Sequence, residues 1–179
     1  MLNKILVAID ESAASDWAFE TALELAKALN AKLILVHTLD IFASSSPVSP
    51  FMTVDSCLSE LDEKAKKTYE LKMAEYANRY EVLLKEKQAA VEAAGVTAQC
   101  IQPYGHPGPV ICKAASDHDV DLIVVGNRDR STFEELVPGS VSNYVVHHAP
   151  CSVTIVHVDN YIQSMAREQS SEFSLAGTV

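Results

Sequence analysis

Apolar residues along the chain follow two rhythms. Five short runs are dense in them: KILVAID (Lys4 to Asp10), AKLILVHTLD (Ala31 to Asp40), VTAQCIQPYG (Val96 to Gly105), VDLIVVG (Val120 to Gly126) and CSVTIVHV (Cys151 to Val158). The first has no polar alternation, as a strand buried on both faces requires. Between the first two runs, Ala18, Ala22, Leu25 and Leu29 recur at helical spacing, with Ser12 or Ser15 able to cap the start and Asn30 the end. From about Val54 to Ala94, Leu58, Leu61, Ala65, Tyr69, Met73, Tyr76, Tyr80 and Leu83 step by three or four along one face, and Gly95 stops them. A helix of about 40 residues runs roughly 60 Å, against roughly 40 Å for a globule of this size. Such a helix either packs with an irregular first part or projects. Pro109 suits the first turn of a further helix, and SVSNYVVHHA reads as the last one.

The resulting order, β-α-β-(loop)-α-β-α-β-α-β, predicts a doubly wound, five-stranded parallel α/β sheet. Residues 1–158 form one domain, with an insert at 41–60 rich in serine and proline ahead of the long helix and a polar tail at 159–179. In such sheets the ligand sits at the carboxyl ends of the strands, where the strand order reverses. That rule lines up Asp10, Thr38 and Gly126 along one edge.

Composition narrows the partners. The 179 residues are 48% hydrophobic, enough for a folded core. Twenty-four acids against 14 bases give a net charge of −10, with no basic face for nucleic acid or an anionic membrane. No apolar run approaches the roughly 20 residues of a membrane span, and the opening residues go directly into a strand, so a cytoplasmic location is expected. Cys57, Cys100, Cys112 and Cys151 lack CxxC spacing and read as buried free thiols; His147 and His148 stand in no metal-binding pattern.

The segment from Gly126 to Val158 holds the candidate chemistry. Gly126 and Gly139 permit unusual backbone and close approach of a ligand, and Ser140 and Ser142 stand where the next helix begins. The unpaired N–H groups of a helix start attract phosphate. A plain strand-to-helix connection with a serine cap accounts for the same residues equally well. Asp10 suits a ribose hydroxyl or an adenine amine, and it suits capping of the helix at Ser12. Thr38 can present backbone to a purine edge, and His37 reads as a packed strand residue.

KILVAIDES, AKLILVHTLD, GHPGPVI, DLIVVGNR and PGSVSNYVVHHAPCSVTIVH fall in the order and spacing of the universal stress protein family, over Lys4 to Val158. The resemblance implies the adenine-nucleotide alpha-hydrolase-like, Rossmann-like sandwich. One branch of that family binds ATP or AMP through G-x2-G-x9-G-[ST]; the other lacks the motif. This chain resembles the first, with Gly126, Gly139 and Ser140 in place and Asp129 where the second glycine falls. Position by position, the resemblance implies adenine and ribose contacts from Ala8, Ile9, Asp10, Thr38 and Val125, and phosphate contacts from Gly126, Gly139, Ser140, Val141 and Ser142. At about 5 Å and an effective dielectric near 20, a carboxylate opposing a phosphate costs on the order of 3 kcal/mol, roughly a hundredfold in affinity. Arg128 or Arg130 can offset that by pairing with Asp129 or by reaching the phosphates, and Mg²⁺ with ATP can bridge the acid to them. No general base is poised for water, so little or no hydrolysis is expected. The resemblance also implies a homodimer through the last strand, 151–158. The alternative is a stress or interaction protein with a degenerate pocket, acting through its long helix.

Overall fold

A computed structural model of the chain describes residues 2–43, 45–48, 59–127 and 140–157. Five strands, β1 (Lys4–Ala8), β2 (Lys32–Val36), β3 (Ala98–Ile101), β4 (Leu122–Asn127) and β5 (Ser152–His157), form one sheet in the order β3-β2-β1-β4-β5. Every pairing is parallel. The helices are α1 (Ala13–Leu29), α2 (Ser59–Ala93), α3 (Pro107–Asp117) and α4 (Ser140–His148).

Alternate strand residues serve opposite faces, so the apolar runs feed two cores. Ile5, Val7, Leu33, Leu35 and Val124 meet Ala18, Phe19 and Ala22 of α1 and Leu84 and Val91 of α2. Leu6, Ile34, Val36, Ile123 and Val125 meet Ile111 and Ala115 of α3 and Val145 of α4. Ile5, Leu6, Val7, Leu33 and Leu35 are fully buried. Each contributes about 1.5–3 kcal/mol relative to an exposed side chain, and that fixes the central strands.

The local signals act as expected at α1. Ser12 is its N-cap and accepts from the Ser15 amide, and Asn30 ends it in the left-handed region at φ +52°. α3 opens at Pro107, with Pro109 still in its first turn. Gly95 follows α2 with φ +79°. Three readings need correction. β3 is shorter than its apolar run and only half-buried, because it is an edge strand with a single neighbour. Leu29 points outward, 44% exposed in the last turn of α1. Cys100, Cys112 and Cys151 are free but half-buried, not buried; Cys57 lies outside the described residues.

α2 is one continuous helix of 35 residues, about 52 Å long. Its buried positions, Tyr76, Tyr80, Leu84 and Val91, lie in its carboxyl half, while Leu71 is 60% exposed. The expected residues 54–58 and the tail at 159–179 lie outside the described residues.

Candidate functional site

The sheet order reverses between β1 and β4, and the carboxyl ends of β2, β1 and β4 do bring Thr38, Asp10 and Gly126 to one edge. The turn that leaves β1 is closed by a small hydrogen-bonded circuit. Asp10 Oδ1 accepts from the Ser12 amide at 2.8 Å and from its hydroxyl at 2.5 Å. Ser12 Oγ in turn accepts from the Ser15 amide at 3.2 Å. Ser15 Oγ accepts from the Asp10 amide at 2.9 Å and donates to the Ala8 carbonyl at 3.4 Å. Asp10 is therefore not itself the cap of α1; it orients the serine that is.

A second layer holds this turn from the α2 side. His37 is 6% exposed, and its Nδ1 lies 2.7 Å from the Ile9 carbonyl. Its ring stacks on Tyr80, with centroids 3.7 Å apart and planes 12° from parallel. Tyr76 meets Tyr80 edge-on. Burial pushes the His37 imidazole below its ordinary pKa, against the opposing pull of its bond to Ile9 and the charges of Asp10 and Glu11. Arg79 grips Glu11 with a two-pronged bond, Nε at 2.7 Å and Nη2 at 2.5 Å. That bond holds the guanidinium still more firmly protonated than usual. Burial raises the Tyr76 phenol, opposed by a hydrogen bond from Ser45.

The remaining candidates divide by position. Ile9 is buried and donates its amide to Val36 at 2.8 Å. Val125 is 2% exposed within the α3–α4 core, so only its backbone is left for a ligand. Thr38 is half-buried, with its carbonyl accepting from the Asp40 amide. Val141 packs against the α3–α4 core, and Ser142 is buried in the first turn of α4. Arg128, Asp129, Arg130 and Gly139 lie outside the described residues, as does the side chain of Ser140.

Gly126 carries a correction. Its backbone is not in the left-handed region. What requires glycine is α1: an added Cβ would lie 2.3 Å from the Ala14 carbonyl oxygen. Sequence reasoning also missed Glu11, Arg79 and Tyr80. The apolar stripe marked Tyr80 as inward-facing, but no local signal names its partner 43 residues away, and none announces the Arg79–Glu11 pair.

The universal stress protein family model matches residues 1–157. A Staphylococcus haemolyticus protein provisionally assigned to the universal stress proteins is 33% identical over 159 residues, 88% of this chain and 86% of its own. The universal stress protein UspA from Lactobacillus plantarum superposes with a TM-score of 0.64 at 26% identity, over 87% of this chain and 97% of its own. Two more distant structures share the fold. A universal stress protein in complex with cAMP has a TM-score of 0.60 at 24% identity, covering 87% of this chain and 97% of its own. An Arabidopsis thaliana family member with AMP bound has 0.55 at 22%, covering 87% and 91%. A parallel sheet wound about a β1/β4 switch point defines the Rossmann-like class. Within it, this chain belongs to the universal stress protein family.

Proposed function

We propose that the chain is a regulatory stress protein that binds an adenine nucleotide at the β1/β4 switch point, with little or no hydrolysis. The observation that carries this reading is the turn after β1. Its circuit fixes an acid, Asp10, at the carboxyl edge of the sheet without consuming it as a helix cap. A carboxylate so placed suits the vicinal hydroxyls of a ribose. The start of α4, with Ser140, Val141 and Ser142, offers helix N–H groups to a phosphate. Bound cAMP and AMP in two fold relatives support the same ligand class. The purine would lie against the backbone of Ala8, Ile9, Thr38 and Val125. Gly126, Arg128 and Gly139 would complete the phosphate side.

β5 supports a homodimer. It is an edge strand whose residues Val153, Thr154 and Ile155 are half-buried, and antiparallel pairing with a second copy would cover them. Sedimentation at micromolar concentration tests this: a dimer is expected, and a monomer refutes it.

Calorimetric titration with AMP, cAMP and ATP, the last with and without Mg²⁺, tests the nucleotide. Micromolar binding is expected. Absence of heat, in protein shown to carry no nucleotide, would refute the reading and favour an interaction protein acting through α2. Asp129→Gly sharpens the result: about tenfold or more tighter binding is expected if the acid opposes the phosphates.

A further inference from the structure

His37 sits in the seam between α2 and the turn after β1, and one of its two nitrogens is unaccounted for. A carbonyl oxygen only accepts, so the bond to Ile9 places the proton on Nδ1. Nε2 of the neutral ring is then a bare acceptor, buried and without a hydrogen-bond partner. Protonation would turn it into a buried donor that needs an acceptor. Around it stand Asp10 and Glu11 from the β1–α1 turn and Tyr80 from α2, stacked on the ring. Tyr76 and Arg79 stand behind Tyr80, and Asp40 lies near Tyr76. The two carboxylates that favour a charged ring are already engaged. Asp10 holds Ser12, and Glu11 lies in the Arg79 fork with the Tyr80 hydroxyl at 3.5 Å. Satisfying a new Nε2–H from either acid takes it from those partners.

We propose that His37 is a proton-sensitive positioning residue. In its neutral form it holds the Ile9 carbonyl and seats Tyr80, and so fixes the turn that presents Asp10. Its protonated form loosens that seam, and nucleotide affinity falls. The depressed pKa agrees with the geometry, because the seam is built for the uncharged ring. The assembled seam binds protons less readily than a free imidazole, so it is intact above the ordinary histidine range and is lost as pH falls through the depressed value. His37 itself touches no ligand. The effect on affinity rests on the nucleotide reading given above, but the response of the turn does not.

The test compares the full chain with His37→Asn, which keeps an N–H donor for Ile9 and does not titrate. AMP is titrated from about pH 7.5 down to about pH 4.5, a window that starts above the ordinary histidine range and ends well below it. The phosphate of AMP titrates in the same window but contributes equally to both proteins, so the difference isolates His37. The natural chain is expected to lose about three- to tenfold more affinity than the variant across the window. Equal losses would overturn the proposal. If AMP binds neither protein at either pH, the nucleotide reading falls, and amide NMR decides the seam separately. The Glu11, Ser12 and Tyr80 amides must shift with the His37 ring in the natural chain and stay still in the variant; amides that ignore the titration overturn it. Should His37→Asn fail to fold, Tyr80→Leu exposes the ring and is expected to move its midpoint up towards the ordinary value. An unmoved midpoint counts against the seam.

Discussion

β1 is tied by an aspartate near each end, and the two ties differ in reach. At the amino end, Asp121 accepts from the Asn3 amide at 2.7 Å and the Lys4 amide at 3.0 Å, joining residues more than a hundred positions apart. Lys4 Nζ adds a bond to the His118 carbonyl at 2.7 Å. At the carboxyl end, Asp10 bonds Ser12, two residues on, and the turn is held to the rest of the molecule by Arg79 of α2 and by His37, the residue after β2. The first tie staples β1 to the chain entering β4. The second shapes a turn, and it can be altered without unpairing strands. One acid therefore joins distant parts of the sheet, and the other shapes the turn at its carboxyl edge.

Substitutions can break this contrast. The largest effect is expected at Gly126→Val, where the new side chain meets the α1 backbone and neither element can yield cheaply. A loss of about 3 kcal/mol is expected by urea unfolding, and an unchanged midpoint would contradict the close approach of α1 to β4. Asp10→Asn should split the other way. AMP affinity falls at least about tenfold, while stability drops by only about 1 kcal/mol, the worth of a weakened local bond. Comparable losses in both readouts would make Asp10 structural. Arg79→Ala removes the fork on Glu11 and should weaken AMP by about threefold, as calorimetry would read.

Asp121→Asn should leave AMP affinity unchanged and lower stability in a pH-dependent way. The Asn3 and Lys4 amides hold the Asp121 carboxyl below its ordinary range. Its stabilisation is thus present above that range and is lost as pH falls through the depressed value. The variant should be less stable than the natural chain at neutral pH, with the gap closing in acid. A gap that does not narrow as pH falls below the ordinary carboxylate range would show that the staple is not electrostatic.

The sheet was legible because its signals are local. Each strand announces itself by a run such as Ile5-Leu6-Val7, and Ser12, Asn30 and Gly95 mark their helix ends without reference to anything distant. Asp10, Thr38 and Gly126 followed from topology, since a parallel order puts all the strand exits on one edge. His37 was legible only as a packed residue. Its stack with Tyr80 joins positions 43 apart, and the Glu11–Arg79 bond spans 68, so their meeting depends on how α2 lies over the sheet. No period of three or four encodes that angle. β3 misled for a related reason: an apolar run reports propensity, whereas burial depends on having neighbours on both sides.

The contact between Gly126 and the Ala14 carbonyl bears on how the glycine pattern of this chain should be read. This chain would need glycine at position 126 even without a ligand, because the demand comes from its own first helix. The opening glycine of the G-x2-G-x9-G-[ST] pattern is therefore a poor witness to binding. For this chain the weight of that pattern rests on Asp129 and Gly139.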